Sequence, residues 1–173
     1  MSETQSCRER LSLYCAGNGL DLGFGGDAIL LSAITVDREL ADPLRAKVSH
    51  SDPTHLVGDV SDLRWFKDNV MDYVFSSHVL EDFQDTSTLL AEWLRVLRPG
   101  GNLVLFLPDQ AAYEAHCAKH HTLPNQAHIH SNFSLEFVLK ALSSIGVDSN
   151  CVVYSKWPVE NNPYSFDLVI RKP

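Results

Sequence analysis

The sequence has no run of lysine and arginine, no long apolar segment and no Cys-x-x-Cys pair. Its 14 lysines and arginines stand against 22 aspartates and glutamates, a formal net charge of −8. Binding to duplex nucleic acid requires clustered cations that neutralise phosphates, so nucleic acid is not expected as a partner. No apolar run approaches the roughly 18 residues of a membrane-spanning helix. The charge balance does not exclude a small anionic substrate.

The cysteines and the N-terminus bear on the cellular compartment. The first ten residues contain no apolar core of the kind found in signal peptides. The four cysteines are expected to be reduced, which predicts a cytoplasmic protein: Cys7, Cys15, Cys117 and Cys151. The 173 residues, 45% hydrophobic and 21% charged, have the composition of an ordinary globular protein. We expect residues 1–173 to form one domain.

The stretch over residues 19–37 is the most informative part of the chain. It reads as a short apolar strand around Asp21, a glycine-rich turn, and a second short strand that ends in Asp37. Gly23 and Gly25 let the backbone turn sharply and let a ligand approach without meeting a Cβ. Acids at the carboxyl ends of parallel strands face the crevice where such sheets bind ligands. The pattern predicts a site for a nucleotide-like molecule.

Five further strands and two clear helices complete the predicted fold. The strands are expected at 55–59, 71–76, 102–107, 150–156 and 164–171, in addition to 20–22 and 33–36. Helices are expected at 85–97, capped by Asp85, and from Ser134 to Gly146, with a shorter helix over 8–15. The last two strands are close enough to form an antiparallel hairpin. The prediction is an α/β fold: a doubly wound, mostly parallel seven-stranded sheet with a C-terminal antiparallel hairpin.

Three connections are unusual. Only residues 23–32 separate the first two strands, whereas a parallel crossover takes about a dozen residues or more, so a shortened helix is expected there. Residues 38–54 contain two prolines and are interpreted as mostly loop. Residues 108–132 are interpreted as a long polar loop that contacts the substrate.

Five histidines lie in or next to that last loop: His116, His120, His121, His128 and His130. His116 and His120 would share one face of a helix, where a metal site is conceivable. The chain contains no His-Glu-x-x-His or Cys-x-x-Cys pattern, however. We therefore interpret these histidines as solvated or substrate-facing and expect no metal.

Five stretches together resemble the motifs of class I S-adenosylmethionine-dependent methyltransferases, in the right order and spacing. They are Leu20–Gly25, Thr35–Asp37, Gly58–Leu63, Met71–Asp82 and Glu92–Leu105. The resemblance implies a Rossmann-like fold and S-adenosylmethionine as cofactor. There are two departures: the third glycine of the first motif would fall at Asp27, and the helix after the glycine loop is cut short.

The resemblance also implies roles for residues at the cofactor site. Asp21 would face the methionine amino group, with the backbone of Gly23 and Gly25 against the cofactor. Asp37 would accept hydrogen bonds from both ribose hydroxyls. Asp59 would accept one from the adenine amine.

Two further residues would complete that site. The amide of Val60 would face a ring nitrogen of adenine, and Ser76 would border the methyl group.

Methyl transfer from a sulfonium mainly requires alignment of the acceptor, plus a base if the acceptor is a hydroxyl. His78 follows the fourth strand and is the first candidate for that base, because a neutral imidazole is available near pH 7. Asp82, Asp109 and His116 are the next candidates. The acceptor is expected to be a small molecule such as a sugar or another hydroxylated metabolite.

Two other functions stay open. Gly23-x-Gly25-x-x-Ala28 formally satisfies a dinucleotide fingerprint, which would make the protein an NAD(P)-dependent oxidoreductase. Its acid, Asp37, lies 14 residues beyond Gly23, whereas the fingerprint places it roughly 20 residues on. The second alternative is a non-catalytic partner subunit that keeps the fold. The sequence leaves open whether the chain forms a homo-oligomer or binds a partner protein.

Overall fold

The computed structural model describes residues 2–38 and 54–173, which form a seven-stranded sheet flanked by helices. The strands are β1 (Gly19–Leu22), β2 (Ile34–Asp37), β3 (His55–Val57), β4 (Met71–Ser77), β5 (Leu97–Pro108), β6 (Val152–Lys156) and β7 (Ser165–Arg171). The helices are α1 (Glu3–Leu11), α2 (Thr86–Val96), α3 (Gln110–His120) and α4 (Leu135–Ser144). Most of the loop predicted at 38–54 falls on residues 39–53, outside the described residues.

The strand order is β3-β2-β1-β4-β5-β7-β6, and the predicted fold class is confirmed. The first five strands are parallel, and β7 runs antiparallel between β5 and β6. The order reverses between β1 and β4, which is the switch point where open α/β sheets bind ligands. Pro108 pairs with Ser165, so the start of β7 lies at the same edge as the carboxyl ends of the parallel strands.

One face of the sheet is covered by α2 and α4. The Asp85 side chain accepts a hydrogen bond from the Thr88 amide and begins α2, as predicted. Ser134 caps α4 in the same way. Trp93 of α2 is fully buried in this core, and its indole donates to the Val60 carbonyl at 2.9 Å. Burial of apolar side chains on one stripe of each helix holds both against the sheet.

The other face is covered by α1, because the connection from β1 to β2 contains turns but no helix. Cys7 and Leu11 of α1 pack in one core with Ile29 of that connection. Arg8 forms an ion pair with Asp27, the residue at the position of the missing third glycine. The N-terminal helix thus covers sheet surface that the short connection leaves open.

Two predicted boundaries are wrong. The N-terminal helix covers Glu3–Leu11 rather than 8–15, because Ser2 caps it and only a few of its residues are buried. The predicted loop at 108–132 contains α3, capped by Asp109. Only Gln110 and Cys117 of α3 are buried, so the helix lacks the apolar periodicity that reveals helices in sequence.

Among the described residues, no helix combines the length and the apolar character needed to cross a membrane.

Candidate functional site

The glycine turn after β1 is held at the carboxyl edge of the sheet by backbone hydrogen bonds. The Gly23 amide donates to the Val36 carbonyl at 2.8 Å, and the Gly25 amide donates to Asp37 Oδ2 at 3.1 Å. Both glycines have positive φ, at 71° and 58°. A Cβ at Gly23 would also overlap the side chain of Val79. The turn therefore requires glycine at position 23 for conformation and for space.

Asp21 lies behind this turn and is fully buried. Its Oδ2 accepts a hydrogen bond from the Ile29 amide at 2.6 Å, while Oδ1 has no partner in the described part of the chain. Burial raises the pKa of the Asp21 carboxyl to about 7. Asp21 supports the connection from β1 to β2 and does not line the neighbouring cavity; its contact with a methionine amino group stays a prediction.

A cavity of about 220 Å³ opens in front of the turn, at the switch point between β1 and β4. Its walls combine two acids with glycine and apolar side chains: Gly23, Asp37, Arg38, Val60, Val79, Asp82 and Phe83. Of the predicted cofactor residues, Gly23, Asp37 and Val60 are on the wall. The two carboxylates can accept hydrogen bonds from hydroxyls, and the apolar side chains can cover a flat ring.

Two other predicted cofactor residues are near the cavity but differently engaged. Asp59 accepts hydrogen bonds from the amide and hydroxyl of Ser61, and these bonds hold the pKa of Asp59 below its usual value. Ser76 is buried and donates to the Leu22 carbonyl at 2.9 Å. Ser76 therefore ties β4 to β1 and does not face the cavity.

Arg38 is the cationic residue on the cavity wall. Its guanidinium lies 5.8 Å from the centre of the Phe83 ring and 3.5 Å from Asp59 Oδ2. Small-molecule pockets usually measure about 300–1,000 Å³. The 220 Å³ cavity is smaller, so a nucleoside-sized ligand would have to displace Arg38.

A larger cavity of about 620 Å³ lies along α4, with Ser87 of α2 on its wall. None of the predicted site residues line it. It is a groove between two surface helices and not the crevice at the carboxyl edge, so we assign the site to the smaller cavity.

The four candidate bases are in three different places. His78 is mostly buried at the end of β4, and its Nε2 lies 3.0 Å from Ser165 Oγ. Asp82 is on the cavity wall. Asp109 accepts a hydrogen bond from the Ala112 amide and caps α3. The ring of His116 packs 4.7 Å from that of Tyr164. The structure thus brings His78 and Asp82 to one region and keeps Asp109 and His116 apart from the cavity.

Burial affects the ionisation of His78 and Asp82 in opposite directions. Desolvation lowers the pKa of His78 to about 3, with a smaller contribution from His128. The imidazole is therefore neutral near pH 7. Desolvation raises the pKa of Asp82.

Glu81 precedes Asp82 in the sequence, and both acids are expected from the sequence at the mouth of the site. It is fully buried, and neither carboxylate oxygen has a hydrogen-bond partner in the described structure. Its Oε1 lies 3.6 Å from His78 Nδ1 and 3.5 Å from His128 Nε2. Burial raises the pKa of Glu81 well above its usual value. The signal in the sequence is the position of Glu81 beside Asp82, after the buried fourth strand.

The chain was compared with families and with proteins of known structure. Residues 20–105 match the sequence profile of a family described as "Methyltransferase domain". A search of curated proteins finds no match.

Solved structures with the same fold include several methyltransferases. An S-adenosylmethionine-dependent methyltransferase from Archaeoglobus fulgidus has a TM-score of 0.73 at 14% identity, covering 98% of this chain and 92% of that one. The N-methyltransferase NodS from Bradyrhizobium japonicum, in complex with S-adenosylhomocysteine, has a TM-score of 0.63 at 20% identity over 99% and 85%. A chain from a Haloferax volcanii complex that contains the Trm112 methyltransferase activator has a TM-score of 0.70 at 16% identity over 99% and 88%. At these identities the likeness concerns the fold.

Proposed function

Because the chain belongs to the class I S-adenosylmethionine-dependent methyltransferase family, we propose that it transfers a methyl group from S-adenosylmethionine to a hydroxyl group of a small acceptor. The observation that carries this proposal is the position of Asp37. Its carboxylate ends β2 on the wall of the switch-point cavity, next to a glycine turn without side chains. One carboxylate there can accept hydrogen bonds from two neighbouring ribose hydroxyls.

The other walls fit the rest of an adenosine. Val60, Val79 and Phe83 supply apolar surface for a flat base. Asp59 supplies a carboxylate for an exocyclic amine once Arg38 moves away. The pair between Arg38 and Asp59 is largely exposed, and such pairs contribute under about 1 kcal/mol, so its displacement costs little.

The cofactor supplies a methyl group that is already activated on a sulfonium, so the protein has to align the acceptor and exclude water. We propose that the acceptor lies between the cavity and α3, where His78 and Asp82 come together. The Nε2 atom of His78 is engaged by Ser165, so Nδ1, which lies 3.6 Å from Glu81 Oε1, is the nitrogen that would receive the acceptor's proton. Loss of turnover in His78→Ala, with cofactor binding retained, is the expected result; unchanged turnover would remove His78 from the mechanism.

A dinucleotide cofactor fits this site less well. The pyrophosphate of NAD(P) binds at the N-terminus of a helix that follows the glycine turn. The residues between β1 and β2, which are all described, form turns and no helix. S-adenosylmethionine carries no phosphate, so the missing helix matters less for it.

A second candidate is a fold-preserving subunit that acts through a partner protein. The small cavity and the missing helix favour it, and one structure with this fold comes from a complex with an activator.

All four cysteines are free in the structure, in support of the predicted cytoplasmic location. The oligomeric state stays a prediction for solution measurement.

Titration calorimetry of the purified chain separates these functions. The proposal expects heat of binding with S-adenosylmethionine and S-adenosylhomocysteine and none with NADH. Binding of NADH alone would favour an oxidoreductase. Binding of none of the three would favour the partner subunit.

A further inference from the structure

A group of one histidine and two acids lies beside the cavity, and we call it the Glu81 cluster: Glu81, Asp82 and His128. One ligand atom from each residue lies within 4.8 Å of the other two. Glu81 and Asp82 belong to the 3₁₀ turn that follows β4, whereas His128 comes from the segment after α3. The fold thus brings together residues more than 40 positions apart in the sequence.

The buried carboxylate of Glu81 lacks the partner that its burial requires. Its side chain is 1% exposed, and both oxygens are without a hydrogen bond in the described residues. The Oδ1 atom of Asp82 is also buried and has no hydrogen-bond partner among the described residues. Buried charges in proteins are normally paired, hydrogen-bonded or bound to a metal. The described lysines and arginines form no ion pair with Glu81.

The orientation of His128 is set by a chain of hydrogen bonds. Gln110 Nε2 donates to Glu114 Oε1 at 2.9 Å, so its carbonyl oxygen is directed to His128. That oxygen lies 2.9 Å from His128 Nδ1, which is therefore the nitrogen that carries the proton. Nε2 is left as an acceptor with a free lone pair. Such a bond to the second nitrogen is the usual way in which proteins orient a metal-binding histidine.

Two acceptors consequently face each other across the cluster. His128 Nε2 and Glu81 Oε1 are 3.5 Å apart, so with an ionised Glu81 two lone pairs face each other, and a proton or a metal cation between them relieves this contact. Ligands about 2.1 Å from a zinc ion lie about 3.4 Å from each other in a tetrahedral site. The separation in the structure is close to that value.

We propose that Glu81, Asp82 and His128 bind a divalent transition-metal cation. A mixed set of carboxylates and one imidazole suits Zn²⁺ or Mn²⁺ better than Ca²⁺ or Mg²⁺. Three protein ligands leave at least one coordination position open. Asp82 also lines the switch-point cavity, so an acceptor oxygen entering there could occupy that position; this last step rests on the proposed methyl transfer. These ligands form no short sequence motif, so the expectation of no metal is the one that this proposal reverses.

The test is the binding of metal alone to the full chain, without cofactor or acceptor. Metal-free protein is titrated with Zn²⁺ by calorimetry, and with Co²⁺ by visible absorption as a report on ligand geometry. One equivalent is expected to bind. Glu81→Gln and His128→Gln should each weaken binding at least tenfold, and Gln110→Ala should weaken it about 10- to 100-fold by releasing His128.

The matched control is His120→Gln, which removes an exposed histidine that packs against His116 on the surface of α3. It should leave affinity unchanged. Absence of binding to the wild type, or loss of binding in His120→Gln alone, would overturn the proposal. Thermal unfolding of each variant identifies any that fails to fold. If a ligand variant fails to fold, the metal affinity of Gln110→Ala, which lies outside the proposed ligand set, tests the site instead.

The metal site and the methyl transfer fail separately. Loss of metal binding with intact S-adenosylmethionine binding refutes the metal site alone, and the reverse result refutes the proposed function alone.

Discussion

Replacing Asp21 with asparagine should stabilise the protein above neutral pH and destabilise it near pH 4. Asp21 is fully buried, and burial raises its pKa from 3.8 to about 7. The folded state therefore binds this proton more tightly than the unfolded state. Stability linked to Asp21 is fully present below about pH 4, declines as pH rises to about 7, and then stays constant.

The magnitude follows from the same pKa difference. At about 1.4 kcal/mol per pKa unit, a rise from 3.8 to about 7 corresponds to roughly 4 kcal/mol of unfavourable free energy in the ionised form. Asparagine keeps an oxygen to accept from the Ile29 amide. Its amide nitrogen replaces an oxygen that has no partner, and a buried unpaired donor costs about 1–3 kcal/mol. The net gain expected at pH 8 is about 1–3 kcal/mol.

The assay is urea unfolding of wild type and Asp21→Asn, followed by tryptophan fluorescence, at several pH values between 4 and 8. Asp148→Asn, at an exposed position, is the control and should show no pH-dependent difference from wild type. A gain of equal size at every pH, or an Asp21→Asn variant less stable than wild type at pH 8, would refute the reasoning.

Two further substitutions test the frame of the site. Gly23→Ala and Gly25→Ala both place a side chain at positive φ, but only the Cβ at position 23 overlaps Val79. Gly23→Ala should therefore lower the free energy of unfolding by about 1–3 kcal/mol more than Gly25→Ala does. Equal losses in the two variants would contradict the contact with Val79. Arg10 pairs with the fully buried Asp167 at 2.8 Å. Arg10→Ala should therefore lower the free energy of unfolding, measured in urea, by about 3–5 kcal/mol. A loss under about 1 kcal/mol, as for exposed ion pairs, would show that this pair does not hold α1.

The sheet and its best helices could be predicted because their signals are local. The apolar run ending at Leu107 and the turn before Ser165 predict a central strand and an antiparallel hairpin. Asp85 and Ser134 are typical helix caps, and the structure places both as caps.

Other elements could not be predicted, because their stabilising contacts are distant in sequence. Helix α3 buries only Gln110 and Cys117, so its pattern resembles that of a polar loop. The partners of Glu81 come from different segments, and only the folded chain brings His128 beside it. The acids of the glycine turn were prominent in sequence, yet only the structure distinguishes Asp37 on the cavity wall from Asp21 behind it.

The central claim is that Asp37 holds the ribose of an S-adenosyl cofactor, and titration of S-adenosylhomocysteine into wild type and Asp37→Ala tests it most directly. Removal of the carboxylate leaves two desolvated hydroxyls without a charged acceptor, which should cost about 2–4 kcal/mol, or roughly a 30- to 1,000-fold rise in Kd. Asp62→Ala, which removes an exposed acid outside the cavity wall, is the control and should bind as wild type does. A Kd unchanged in Asp37→Ala, or no binding to the wild type, would contradict the claim.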